Sequence, residues 1–194
     1  MLIDAHTHLQ FKNFDADRDE VIKRTLEAGV FCVNVGTDLK MSEDAIKLAE
    51  KYNGFWATAG LHPTDFNEGF NPEDYEKLAS HPKVVAIGEC GLDYYRTAPE
   101  SRKNQEEIFR AQIKLAKKIG KPTMLHCRPS QNPDNTYSDD AYLDMIRVLD
   151  EEGPLADEAG NVHFFVGSKD IAKKFLKMGF CFSFSGVITI TNMY

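Results

Sequence analysis

Four cysteines in 194 residues, with no Cys-x-x-Cys pair among them, leave this sequence without a disulfide framework. Cys32, Cys90, Cys127 and Cys181 each lie in or beside an apolar run, as the buried, reduced thiols of a cytosolic protein do. Long hydrophobic stretches are missing too. No apolar run approaches the roughly 20 residues of a membrane span, and no basic segment precedes a short apolar one at the start, so neither a transmembrane helix nor a signal peptide is expected. Basic charge is scarce: 23 Lys and Arg stand against 30 Asp and Glu, a net charge of −7. A large basic face for nucleic acid is therefore not expected. A nuclease is not excluded, because bound metal ions can bring the positive charge that meets phosphate. No glycine-rich phosphate loop follows the first apolar run, which argues against a nucleotide-binding open sheet. What the chain does have is 42% apolar residues, enough for one well-buried core, so residues 1–194 read as a single domain.

Short apolar runs alternate with helical patterns. The runs cover residues 2–8, 30–36, 55–62, 84–90, 122–127, 161–166 and 180–186, most of them near-continuous, as strands buried on both faces are. Between them, residues 17–28, 42–51, 101–119, 138–152 and 168–178 read as helices, with Ser42 as a cap, Asn71-Pro72 as a further helix start, and Gly120 and Pro122 stopping the longest. On that longest helix Ile108, Gln112, Leu115 and Ile119 line one side. Strand–helix–strand repetition predicts parallel strands with right-handed crossovers. Polar residues at the ends of several strands favour a TIM-like (β/α)8 barrel over a doubly wound sheet, since barrel sites collect at that end. Seven strands fit, so the expectation is an α/β barrel whose eighth strand and last helix are missing, with the tail at 189–194 carrying no terminating helix. The acidic, Asn- and Ser-rich stretch 129–161, with Arg147 its sole basic residue, is expected to include a solvated loop near the mouth.

The chemistry concentrates at strand ends. His6 and His8 alternate with Thr7, so on a strand they face the same way. Glu89 ends the fourth run, where a carboxylate is costly unless paired or metal-bound. His126 and His163 end the fifth and sixth runs, and His62 closes the third. Each histidine alone is compatible with a capping or core role; their recurrence at one end of several strands is what singles them out. Four histidines (His6, His8, His126, His163) and Glu89 are too many ligands for one structural zinc and suit two metals bridged by Glu89. His81, Asp15, Asp17, Glu20 and the run Asp150-Glu151-Glu152 read as ordinary surface or helix-end groups.

On these residues the sequence resembles the TatD-like metal-dependent hydrolases. The matching segments are Ile3-Asp4-Ala5-His6-Thr7-His8, Ala59-Gly60-Leu61-His62-Pro63, Ala86-Ile87-Gly88-Glu89-Cys90-Gly91-Leu92-Asp93-Tyr94-Tyr95, Leu125-His126-Cys127-Arg128, residues 163–168 and residues 182–189, in the family's order over nearly the whole length. The resemblance implies a TIM-like barrel and a metal-dependent phosphodiesterase, typically a deoxyribonuclease acting on single-stranded DNA or 3′ ends. It implies that His6, His8 and Glu89 hold one divalent ion and Glu89, His126 and His163 a second, with magnesium the usual metal and manganese or zinc alternatives. Glu89 and His62 are then the catalytic residues, His62 beside the scissile phosphate, with Arg128 on the substrate side and Asp93 either on the substrate side or behind the metal ligands. Phe164 and Val166 depart from the family's Cys and Ser, and the family's last aspartate, at the end of strand eight, has no counterpart before Tyr194.

Two other readings share the barrel or discard the activity. An amidohydrolase or deaminase commonly places a modified lysine where Glu89 stands, or uses one metal, and hydrolysis of an aminoacyl-tRNA ester is a variant within TatD-like proteins. An inactive fragment is the third, its first and seventh strands left as open edges. The expected setting is the cytoplasm, with DNA as substrate and neither a membrane nor an obligate protein partner.

Overall fold

The computed structural model describes residues 2–155 and 158–189. Seven strands, β1 (Leu2–Thr7), β2 (Val30–Asn34), β3 (Phe55–Ala59), β4 (Val84–Asp93), β5 (Thr123–Arg128), β6 (Gly160–His163) and β7 (Phe180–Phe182), alternate with six α-helices. These are α1 (Arg18–Glu27), α2 (Leu39–Lys51), α3 (Pro72–Ala79), α4 (Arg102–Ile119), α5 (Asp140–Glu152) and α6 (Lys169–Lys177). Every ladder is parallel, and the strands follow one another in chain order from β1 to β7. That order excludes a doubly wound sheet, whose strand order reverses in the middle. The seven strands form part of a TIM-like barrel.

Curvature is visible in one contact. On a flat sheet, β1 and β6 would stand about 24 Å apart at ~4.8 Å per strand. The rings of His6 on β1 and His163 on β6 are instead stacked, with centroids 3.4 Å apart. The sheet bends until the C-terminal ends of its first and sixth strands meet.

Two apolar clusters lie between sheet and helices. One joins Ile22, Ala45, Ala49, Phe55 and Tyr75 around β2 and β3; the other joins Phe109, Ile113, Tyr142, Met145, Phe175 and Phe180 around β5 to β7. Helix α4 belongs to both, sending Ile108 and Leu115 to the first and Phe109 and Ile113 to the second.

The local signals operate as residue chemistry requires, with three differences. Asn71 accepts from the Glu73 N–H ahead of Pro72, Ser168 accepts from the Ile171 N–H, and Gly120 ends α4 at φ 65°. Helix α2, however, begins at Leu39, because the Asp38 carboxylate accepts from the Met41 N–H at 2.6 Å; Ser42 lies buried in the next turn. The fourth strand runs on to Asp93, three residues beyond the apolar run. And β1 is not buried on both faces: among the described residues it pairs with β2 alone, and Leu2 and Ile3 are exposed. Residues 190–194, where the sequence offered no final helix, lie outside the described residues. No helix of the described residues is long and apolar enough to cross a membrane. Cys32, Cys90 and Cys127 are buried and Cys181 is exposed, all as free thiols.

Candidate metal centre at the barrel mouth

The C-terminal ends of the strands surround a cavity of about 450 Å³ lined by His6, His8, His62, Glu89, His126, Arg128 and His163. Seven of the eight expected site residues therefore face one space. The eighth, Asp93, is fully buried behind His126.

Glu89 stands at the centre, and the backbone around it allows no bulk. Gly88 and Gly91 both adopt φ 143°, and a Cβ on either would fall 2.3 Å from the Met124 carbonyl oxygen or 2.0 Å from that of His126. β4 thus presses against β5, and Glu89 projects inward beside His126. Its two oxygens face different partners. Oε2 lies 3.2 Å from His6 Nε2 and 3.7 Å from His8 Nε2. Oε1 lies 3.0 Å from His126 Nδ1 and 3.7 Å from His62 Nε2. One carboxylate spans two histidine pairs. The expected first set, His6, His8 and Glu89, is assembled. On the other side the third group with Glu89 and His126 is His62, while His163 lies flat against His6 and near the Ser183 hydroxyl.

Hydrogen bonds fix the state of several rings. His8 Nδ1 lies 2.9 Å from the Val35 carbonyl, which only accepts, so Nδ1 carries the proton and the Nε2 lone pair of neutral His8 points at Glu89 and His6. His62 is set the opposite way. The Thr64 backbone N–H donates to its Nδ1 at 3.2 Å, so the proton of neutral His62 sits on Nε2, the atom facing the cavity. His126 is held between two carboxylates, Glu89 at Nδ1 and Asp93 at Nε2, each 3.0 Å away.

The electrostatics follow. Burial drives His62 and His163 down to about 3, helped by neighbouring histidines. It lowers His8 as well, against the pull of Glu89. Burial also opposes charge on His126, but the hydrogen bonds its ring donates to Asp93 and Glu89 outweigh it and raise the ring to about 9. Glu89 is driven up by burial and down by His6 and His126, and ends well below the usual carboxylate range. Asp93 ends below its ordinary value on the same balance, with His126 and the Arg96 N–H holding the charge.

This donor set fits divalent cations. Two imidazole nitrogens 3.1 Å apart, one of them a lone pair, converge on a buried carboxylate oxygen, and no described residue bonds the buried Nδ1 of His6. Imidazole and carboxylate together suit zinc, manganese and magnesium.

Sequence reasoning did not anticipate several lining groups: Phe11, Thr37, Thr64, Asp65, Arg96 and Tyr137. Phe11 stacks on His8 at 4.4 Å, and the Arg128 guanidinium lies 4.1 Å over the Tyr95 ring. Phe164 and Val166, the two departures from the family pattern, both line the cavity. Tyr137 comes from the polar loop after β5, which reaches the mouth as expected. Phe11, Asp65 and Arg96 had one signal in common, a position three residues after His8, His62 and Asp93.

The chain is similar to many known proteins. The uncharacterized metal-dependent hydrolase YabD of Bacillus subtilis is 39% identical over 99% of this chain, which spans 71% of that protein. The 3′-5′ ssDNA/RNA exonuclease TatD of Klebsiella pneumoniae is 35% identical over 95% of the chain, here spanning 66% of the relative. Among solved structures, YJJV, a TatD homologue of Escherichia coli K12, superposes with a TM-score of 0.78 at 28% identity, covering 93% of this chain and 66% of its own. The chain thus spans about two thirds to seven tenths of these relatives. The family model described as TatD related DNase matches residues 3–193, the stretch that carries every strand-end histidine and Glu89; the chain belongs to this family of metal-dependent hydrolases.

Proposed function

We propose that the chain is a cytoplasmic two-metal phosphodiesterase that shortens single-stranded DNA from its 3′ end. The observation that carries this reading is the Glu89 carboxylate, whose two oxygens face two separate histidine pairs. His6, His8 and Glu89 would hold one ion; Glu89 and His126 would hold the other with His163, which in this structure stands against His6, the place beside Glu89 and His126 being taken by His62. Two divalent cations, magnesium first and manganese or zinc as alternatives, would supply the positive charge that activates water and offsets the anionic transition state of an in-line displacement.

The remaining work falls to the chain's own groups. His62, with its proton fixed on Nε2 by the Thr64 N–H, donates toward the phosphoryl oxygen. Its depressed basicity keeps it a neutral donor at physiological pH. Asp93 holds His126 in one orientation. Arg128, laid over Tyr95, presents a guanidinium to the substrate side. The net charge of −7 makes such local cations necessary. No lysine lines the cavity among the described residues, which argues against the modified-lysine form of the amidohydrolase reading.

The test is cleavage of end-labelled single-stranded DNA by chelated protein reloaded with each metal, beside Glu89→Ala. Metal-dependent release of nucleotides from the 3′ end, lost in the variant, supports the proposal. Turnover of an aminoacyl ester or amide without phosphodiester cleavage overturns it, as does cleavage that survives Glu89→Ala.

A further inference from the structure

Two polar residues in the apolar stripe of α4 have no place in the chemistry above. Gln105 and Gln112 are 1% and 0% exposed, and they sit seven residues apart. That spacing is two helical turns, which returns them to one face about 10 Å apart. Each spends its amide on the backbone of a strand end. Gln112 accepts from the Leu61 N–H at 2.8 Å and donates to the Leu61 carbonyl at 2.9 Å. Gln105 accepts from the Asp93 N–H at 2.8 Å and donates to the Asp93 carbonyl at 3.3 Å. Leu61 precedes His62, and Asp93 holds His126.

We propose that Gln105 and Gln112 are positioning residues: a matched pair of side-chain amides with which α4 sets where His62 and the Asp93–His126 pair stand across the mouth. A primary amide is suited to this because it offers a donor and an acceptor in one plane without charge. Carried on one rigid helix, the two amides fix two strand ends relative to each other, which the ladder between β3 and β4 does not do: its register shifts and its last pair is Ala59 with Ile87. Beyond that pair β4 continues against β5 as far as Asp93 and Arg128, the His62 N–H donates to the Thr37 carbonyl, and no ladder of the described residues joins β3 to β4. Gln105 is itself held by the Thr97 hydroxyl at 2.7 Å and the Ser101 hydroxyl at 2.8 Å. The inference rests on His62 and His126 acting at the site, and its first readout needs no activity.

That readout is the histidine ring-nitrogen spectrum of the chelated, 15N-labelled protein. Gln112→Met is expected to move the His62 ring signals and release Nδ1 from its acceptor state, leaving His126 and His8 unchanged. Gln105→Met is expected to move His126 and leave His62. If a methionine variant does not fold, Gln112→Asn and Gln105→Asn carry the test with the same pattern at smaller size, since they withdraw the amide by one methylene. Either variant moving all three rings alike, or moving none, overturns the proposal. Where the protein cleaves DNA, Gln112→Met should also lower kcat about tenfold with half-saturation by metal unchanged within twofold; a matching rise in metal requirement overturns it. Absence of cleavage in the parent bears on the phosphodiesterase reading alone and leaves the ring pattern to decide.

Discussion

At the mouth, Glu89, Asp93 and His126 carry charge in a pocket where Glu89 is 4% and Asp93 0% exposed. On the outer side of α4 and α5, Glu106, Arg110, Arg147, Glu151 and Glu152 form a second network in contact with solvent. Arg147 meets Glu106 at 2.6 Å, Arg110 meets it at 2.9 Å and Glu152 at 3.1 Å, and Glu151 joins both arginines. Both networks set carboxylates against nitrogen cations at similar distances, a histidine ring inside and arginines outside. The outer one loses little hydration and contributes about 1 kcal/mol or less per pair. The inner one gives up its hydration, so apolar residues of equal size would serve stability as well or better. The contrast indicates that the inner charges are kept for what they hold rather than for folding.

The largest expected effect comes from breaking the inner network at its centre. Glu89→Ala removes a group from both sides of the site, and metal-dependent turnover should fall at least about a thousandfold, roughly 4 kcal/mol of transition-state stabilisation. Steady-state kinetics across a metal titration checks this.

Next is Asp93→Ala. It leaves His126 Nε2 and the Tyr95 and Arg96 N–H groups without their acceptor, and should cost the chelated protein about 3–5 kcal/mol in urea unfolding. A loss no greater than that of a surface pair would erase the distinction between the networks.

A third expectation concerns pH in the chelated protein. His126 is raised to about 9 from 6.5, so its stabilisation is complete below pH 6.5 and is lost as pH rises toward 9. His62 and His163 are lowered to about 3, so their contribution is complete above pH 6.5 and is lost as pH falls. Thermal stability should therefore peak near pH 6.5 and fall on both limbs, by on the order of 5 °C on the alkaline one. His126→Asn should flatten that limb and leave the acid limb sloping.

Smallest is Arg147→Ala on the outer network. It should cost about 0.5–1 kcal/mol in low salt and almost nothing in 1 M salt, where screening reaches across ~3 Å. Urea melts at the two ionic strengths compare them directly.

How far the sequence carried this reading depended on the range of the interaction. Strand runs, the Asn71 and Ser168 caps and the Gly120 stop are set by neighbours within a few residues, and they were legible. So was the convergence of His6, His8, His62, Glu89, His126 and His163, because parallel strands put all their ends on one side. The cap at Asp38 was missed because Ser42 offers the same chemistry one turn later. That His62 rather than His163 stands beside Glu89 and His126 depends on how sharply the sheet curves, and no spacing encodes curvature. Gln105 and Gln112 were hidden for a related reason: a glutamine in an apolar helical stripe looks like a tolerated exception until the backbone groups it satisfies are seen across the fold. Arg96 and Tyr137 reach the cavity through loop paths that periodicity does not describe.

The stacked imidazoles of His6 and His163 also say something about time. These residues are more than 150 positions apart, and a ribosome adding about 5–20 residues per second takes on the order of 10–30 s to cover that stretch. Throughout that interval the His6-Thr7-His8 segment exists without its partner from β6, and Glu89 and His126 arrive only part-way through. On the two-metal reading proposed above, a nascent chain therefore carries no finished centre near the nucleic acids of the translation apparatus until synthesis has delivered the sixth strand.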